Sequence, residues 1–125
     1  MAEPLHQVGR AGEEAAIRHL ERMGYRIVER NYRCRFGEID LIAQDGDTLV
    51  FIEVKTRRSR TFGPAALAVT RDKQRRLIKA SQAYLSRKGG DQGVCRFDVV
   101  TIQIDAGIPH IEVIRDAFQL SDEMH

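Results

Sequence analysis

GEIDLIAQDGDTLVFIEVK, residues 37–55, contains two apolar runs on either side of the turn signal Asp45-Gly46. Glu38 to Ala43 and Leu49 to Val54 have the composition of neighbouring strands. The second run is apolar almost without interruption, which is typical of a central strand covered on both faces. The pair therefore predicts an antiparallel hairpin within the core of a sheet.

Helical and strand patterns flank this hairpin on both sides. Apolar residues from Val8 to Met23 recur at helical spacing before Gly24, and Tyr25 to Tyr32 has the mixed polarity of a strand. Further along, the pattern predicts a helix at Thr70–Arg87 with Thr70 as its N-cap. Two strands are predicted after it, at Cys95–Ile104 and Ile111–Arg115. The predicted order αβββαββ indicates an α/β fold in which helices pack on the faces of a mixed sheet.

The length and composition are those of one folded domain. The chain has 125 residues, of which 42% are hydrophobic and 30% charged. We expect a single domain over residues 1–125, with 119–125 as a tail. No apolar run has the length of a signal peptide or a membrane span, so we expect a cytoplasmic protein without a membrane partner. Cys34 and Cys95 lack the spacing of disulfides or zinc ligands and are predicted to be reduced strand residues.

Charge is distributed unevenly along the chain. The net charge is +2, yet residues 55–88 contain eleven Lys or Arg and one acid, and the remainder contains nine basic and seventeen acidic residues. A molecule polarised in this way is suited to face a polyanion. A basic helix face is often only solvated, so we restrict the candidates for phosphate contact to Arg57, Arg58, Arg60, Lys73 and Arg76.

Three acids are unexpected in these apolar elements. Glu53 lies in the central strand and Asp40 in its neighbour, where an uncompensated carboxylate is costly. Glu53 and Lys55 are two residues apart and therefore share a face of the strand. Glu13 is predicted to point inward, because apolar residues follow it three, four and seven positions later in the first helix.

The hairpin connection decides which acid lies beside Glu53. A two-residue turn at Asp45-Gly46 would set Glu38 opposite it, whereas a four-residue loop, Asp45–Thr48, would set Asp40 there. Carboxylates gather on one face in both registers. Two carboxylates about 5 Å apart repel by roughly 3 kcal/mol at an effective dielectric constant of 20, so a cation is expected between them.

The type of ligand indicates which cation this is. Carboxylates from Asp40, Glu53 and Glu13, together with the main-chain carbonyl of Val54, suit Mg²⁺ or Mn²⁺, which also bind phosphate oxygens and retain several waters. Lys55 would assist a water that attacks phosphorus and would offset charge in the transition state. The sequence thus predicts a divalent-metal site with Lys55 beside it.

Asp40, twelve intervening residues and Glu53-Val54-Lys55 resemble the PD-(D/E)XK signature of the restriction-endonuclease-like fold, with Ile39 in place of the motif's proline. Over about Gly9 to Ile104 the chain is similar to the bacterial YraN family, through Gly12-Glu13, Arg30–Arg33, Gly37–Ile42, Phe51–Lys55 and Phe97–Val100.

YraN-type proteins resemble archaeal Holliday-junction resolvases, so the resemblance implies a restriction-endonuclease-like fold with Glu13, Asp40, Glu53 and Lys55 at its metal site. It also implies branched or structured DNA as the substrate, and pairing into a homodimer. Two other functions stay open: a nucleic-acid-binding module of the same fold without catalysis, and a protein-interaction domain.

Overall fold

The structure, a computed structural model, describes residues 5–57, 69–89 and 93–118, and the side chains of residues 12–56, 69–89, 93–104 and 106–118. Its helices and strands are α1 Leu5–Arg22, β1 Arg26–Cys34, β2 Gly37–Asp45, β3 Thr48–Arg57, α2 Arg71–Arg87, β4 Cys95–Asp105 and β5 Ile108–Phe118. The predicted α/β order αβββαββ is confirmed. The expected tail, 119–125, lies outside the described residues.

The five strands form one mixed sheet in the order β1-β2-β3-β4-β5. Neighbouring strands are antiparallel except β3 and β4, which are parallel. Parallel neighbours require a crossover connection, and α2 lies in the segment that joins these two strands. The sheet therefore has β3 in its middle, as the apolar run predicts.

The hairpin of β2 and β3 has the register in which Asp45 pairs with Thr48 and Leu41 with Ile52. Gly46 adopts a positive φ of 60° in the turn, a conformation that costs glycine little. Continuing this register brings Asp40 level with Glu53, which confirms the second of the two predicted alignments. The predicted four-residue loop Asp45–Thr48 is wrong, because Asp45 and Thr48 pair and leave a two-residue turn, Gly46-Asp47.

Each face of the sheet has its own apolar core. On the α2 side the aromatic residues pack together, with the rings of Phe51 and Tyr84 edge to face at 6.0 Å and those of Phe51 and Phe97 5.6 Å apart. On the α1 side Leu20 packs against a cluster that includes Ile52 and Val100. Covering β3 on both faces explains why residues 49–54 are almost entirely apolar.

The first helix approaches the sheet closely at Gly12. A Cβ atom at this position would lie 3.1 Å from Thr56 Oγ1 and 3.2 Å from Ile102 Cδ1, closer than most side-chain contacts. Glycine therefore permits the helix to reach the end of β3. The next residue, Glu13, is brought to the same end of the strand.

A polar network lies on the α1 face of the sheet. Asp98, fully buried, accepts hydrogen bonds from Tyr25 Oη at 2.8 Å, Arg96 Nε at 2.8 Å and the backbone N of Asp116 at 2.9 Å. Arg96 also donates to Asp45 at 2.9 Å. Burial and the neighbouring Asp98 raise the pKa of Tyr25 to about 12. Asp98 thus anchors strands. It pairs with Ile52, the neighbour of Glu53, but its side chain lies on the face of the sheet opposite the acidic cluster.

Cys34 and Cys95 lie in β1 and β4, the strands expected for them, and within the described residues neither is in a disulfide. Among the described residues no helix is long and apolar enough to cross a membrane.

Candidate metal and nucleic-acid site

Asp40 lies where β2 and β3 stop pairing. The ladder ends with Leu41 opposite Ile52, and Asp40 Oδ2 then accepts a hydrogen bond from the backbone N of Val54 at 2.8 Å. The carboxylate takes the place of a strand partner for this amide. It is therefore held beside the Val54 peptide, next to the residue that carries the second acid.

The electrostatic environment of Asp40 is dominated by burial and by other carboxylates. Burial, followed by the charge of Glu53, raises the pKa of Asp40 from 3.8 to about 7; the hydrogen bond from Val54 lowers it, and the charges of Glu13 and Glu38 raise it. Three further acids thus act on this group. Such an accumulation of negative charge favours a cation.

Glu53 is the buried acid of the site, with only 4% of its surface exposed. Its Oε1 lies 3.1 Å from Lys73 Nζ and 3.7 Å from Lys55 Nζ. Burial by itself lowers the pKa of Lys73, but the charge and hydrogen bond of Glu53 outweigh it and raise that pKa above its ordinary value of 10.5. One carboxylate therefore has two ammonium groups, from β3 and from α2.

Glu13 contributes charge rather than a contact. It is half-buried in α1, beside the close approach at Gly12, and its charge reaches Asp40. Within the described residues no three His, Cys, Asp or Glu side chains are grouped so that they could hold one metal ion as they stand. Glu13, Asp40 and Glu53 therefore do not form a ready-made ligand set.

The donors that are present still suit a hard cation. Mg²⁺ is commonly bound through one or two carboxylates and completes its shell with water and phosphate oxygens. Oxygens of this kind are present on Asp40 and Glu53, which are level with each other in adjacent strands, and on the main chain of Val54, the residue after Glu53. The chemistry of these residues fits such an ion, with Glu53 turned from its lysine partners.

Comparison with known protein families gives a match between residues 12–102 and the model of the Uncharacterised protein family UPF0102. The chain belongs to the UPF0102 family. UPF0102 proteins of Syntrophus aciditrophicus and Geobacter sulfurreducens are 53% and 51% identical to it over 115 residues, covering 92% and 91% of this chain and 91% and 90% of theirs. UPF0102 is the YraN family, so the resemblance drawn from the sequence is confirmed.

A solved structure, Pyrococcus furiosus SfsA in complex with Ca²⁺, is similar to this UPF0102 chain with a TM-score of 0.39 and 16% identity. The alignment covers 86% of this chain and 60% of SfsA. The likeness is loose, and no activity follows from it.

The family match includes the four predicted site residues, which lie between residues 13 and 55 of this UPF0102 chain. Asp40 and Glu53 are brought together and Lys55 joins Glu53, as the spacing predicts. Glu38, the other acid weighed for this place, is exposed and lies 3.6 Å from Arg33, through its Oε1 and the Arg33 Nε.

The candidate phosphate-binding residues are only partly described. The side chain of Arg57, and the whole of Arg58 and Arg60, lie outside the described part of the chain. Arg76 is exposed on α2, 3.6 Å from Asp72. Lys73, predicted only to contact phosphate, proves to be an ion-pair partner of Glu53. The position of Lys73 at the margin of the buried face of α2 indicated that its side chain could reach a buried group. Identifying that group as Glu53 required the three-dimensional structure.

Proposed function

We propose that this protein is a divalent-metal-dependent phosphodiesterase that cleaves DNA, with branched or otherwise structured DNA as its substrate. The observation that carries the proposal is the alignment of Asp40 with Glu53 where β2 and β3 part, with the Lys55 ammonium 3.7 Å from Glu53. An acid pair with an adjacent lysine is the arrangement expected for metal-assisted phosphodiester hydrolysis.

Asp40, Glu53 and the main-chain carbonyl of Val54 would hold Mg²⁺ or Mn²⁺, with Glu13 supporting the ion through its charge. When bound, the ion would lower the pKa of a coordinated water and neutralise charge on the phosphate. The hydrogen bond from Val54 N orients the Asp40 carboxylate for this task. The ion would also relieve the repulsion that raises the pKa of Asp40.

The lysines and arginines have complementary tasks. Lys55 would orient the attacking water and offset the negative charge that builds up on the phosphoryl oxygens. Lys73 and Arg76, from α2, would contact the DNA backbone, and Arg57, Arg58 and Arg60 would extend this contact directly after Lys55. If about six phosphates were neutralised, the logarithm of the affinity would fall against the logarithm of salt concentration with a slope near −5.

The test is incubation of the purified protein with branched, nicked and single-stranded DNA in Mg²⁺, Mn²⁺ or EDTA. We expect metal-dependent cleavage of branched DNA that Asp40→Ala abolishes. Asp47→Ala is the matched control, because it removes an exposed acid from the turn of the same hairpin. Equal cleavage by wild type and Asp40→Ala would assign the activity to a contaminant and contradict the proposal.

A second function, nucleic-acid binding without catalysis, is favoured by one observation. Glu53 already has two ammonium partners, so the described cluster compensates its buried charge without a metal ion. This alternative predicts salt-sensitive DNA or RNA binding that Glu53→Gln leaves unchanged and no cleavage with either metal. Metal-dependent cleavage would exclude it.

The expected cytoplasmic location and homodimer belong to the same proposal. Light scattering on the purified chain, with and without branched DNA, measures whether two copies associate. A monomer in both conditions would contradict the pairing but not the chemistry.

A further inference from the structure

Lys73 is a second lysine partner of Glu53 that lies outside the sequence motif. The motif itself, Glu53-Val54-Lys55, contributes Lys55. The Lys73 Nζ is the nearer of the two ammonium groups, at 3.1 Å against 3.7 Å, and comes from a different element. A buried carboxylate that keeps only one distant partner is poorly compensated. The closer contact therefore makes Lys73 the principal counter-ion of Glu53 in this structure.

The start of α2 fixes the backbone of Lys73 but not the end of its side chain. Thr70 is the N-cap, and its Oγ1 accepts a hydrogen bond from Lys73 N at 3.2 Å. Leu77, one turn further on, is buried in the core and holds this face of the helix against the sheet. The Lys73 side chain is 40% exposed and has a flexible four-carbon stem, so its ammonium is able to leave Glu53 without moving the helix.

We infer that Lys73 is an exchangeable counter-ion: it neutralises Glu53 in the metal-free protein, and its ammonium is released to a phosphate of the nucleic acid when a divalent ion occupies that carboxylate. The inference rests on the proposed function and deepens it. Lys73 binds the nucleic-acid backbone in this scheme, whereas Lys55 remains beside the reacting atoms.

Electrostatics requires the exchange if the ion binds at Glu53. A divalent ion on Oε1 and an ammonium group 3.1 Å from the same oxygen would repel each other in a partly buried site. Exchange keeps Glu53 compensated in both states and frees a positive charge next to the ion. Metal binding then promotes phosphate binding, and by linkage phosphate promotes metal binding.

The first test compares Lys73→Met with Lys79→Met, which removes the same charge from an exposed position on α2. Chemical unfolding in EDTA and Mn²⁺ titration calorimetry are measured for both. We expect Lys73→Met to be less stable than wild type in EDTA yet to bind Mn²⁺ about tenfold more tightly, since its competitor is gone. Lys79→Met should change neither. Unchanged or weaker Mn²⁺ binding by Lys73→Met would overturn the exchange.

The second test uses the wild-type protein, so it does not depend on a variant's folding. NMR of lysine ammonium groups in EDTA should show the Lys73 signal protected from exchange with water by its contact with Glu53. Saturating Mg²⁺ should remove that signal. A protected Lys73 ammonium at saturating Mg²⁺ overturns the exchange and leaves the nuclease proposal standing, whereas a wild type that binds no divalent ion overturns both.

Discussion

Asp40 Oδ2 accepts a hydrogen bond from Val54 N at 2.8 Å, at the point where β2 and β3 cease to pair. The bond gives one side chain two tasks. It satisfies an amide that would otherwise lose its strand partner, and it holds a carboxylate next to Glu53. The acid pair of the candidate site is thus fixed by the end of a strand ladder.

Asp40 should make the stability of the metal-free protein depend on pH. Its pKa is about 7 in the folded chain against an ordinary 3.8, so the folded state binds this proton more tightly. The favourable contribution is complete below about pH 3.8 and is lost as the pH rises to about 7. Relative to Asp40→Asn, the free energy of unfolding of wild type should fall across this range by a few kcal/mol, at most about 4.

Urea unfolding of both proteins between about pH 4 and pH 8 in EDTA measures this difference, with the series repeated in Mg²⁺. Mg²⁺ should reduce the loss of unfolding free energy that wild type shows relative to Asp40→Asn near neutral pH, because the ion stabilises the ionised Asp40. Parallel pH profiles of wild type and Asp40→Asn in EDTA would show that the carboxyl group is not perturbed.

Lys55 should act on the rate rather than on metal binding. Removing a preorganised charge from a hydrolytic site typically lowers kcat by about 10² to 10³. We expect Lys55→Met to lose cleavage by a factor of this order while Mn²⁺ titration shows retained binding, because Lys73 is the closer partner of Glu53. Single-turnover cleavage separates the two effects. A Lys55→Met variant that cleaves at the wild-type rate would remove this lysine from the mechanism.

The sequence predicted the sheet, the helices and the acid pair because each leaves a local pattern. The uninterrupted apolar run of β3 identified the central strand, and Thr70 marked the start of α2. The sequence narrowed the register of the hairpin to two alignments, one with Glu38 and one with Asp40 opposite Glu53. An acid lies opposite Glu53 in both, because an even number of residues connects the strands in each. Choosing between them required the turn geometry, which residue types alone did not determine.

The contact between Lys73 and Glu53 left no such pattern. The two residues are in different elements, joined by a long connection, and a basic residue near a helix start is usually solvated. Likewise, the helical spacing of the apolar residues after Glu13 was sufficient to predict that Glu13 faces inward, near Asp40. It could not show whether Glu13, Asp40 and Glu53 form one group of three carboxylates. Such details depend on the tertiary packing of α1 and α2 against the sheet.

Gly12 should tolerate substitution poorly although it lies in a helix. Replacing an interior helical glycine by alanine ordinarily gains up to about 1 kcal/mol. Here the new Cβ would press on Thr56 Oγ1 and Ile102 Cδ1, so we expect Gly12→Ala to lose about 1 to 2 kcal/mol of stability. Chemical unfolding measures the loss.

Ile102→Val tests the cause, because it removes the Cδ1 atom that the alanine would meet. The double variant should be less destabilised than the sum of the two single variants. Strict additivity would mean that the close approach of α1 to β4 is not what excludes a side chain at position 12.

Asp98 should be among the most sensitive residues for stability, although its side chain lies on the face of the sheet opposite the candidate site. It is fully buried and accepts from Tyr25, Arg96 and the backbone of Asp116. Asp98→Asn would leave Arg96 with Asp45 as its one remaining charged partner within the described part of the chain. Removing one member of a buried ion pair commonly costs about 3 to 5 kcal/mol. Asp47→Asn, in the exposed hairpin turn, is the matched control and should change stability by less than about 0.5 kcal/mol.

Mn²⁺ affinity, measured where both variants are folded, should stay at the wild-type value. A lower affinity in Asp98→Asn alone would mean that the two faces of the sheet are coupled.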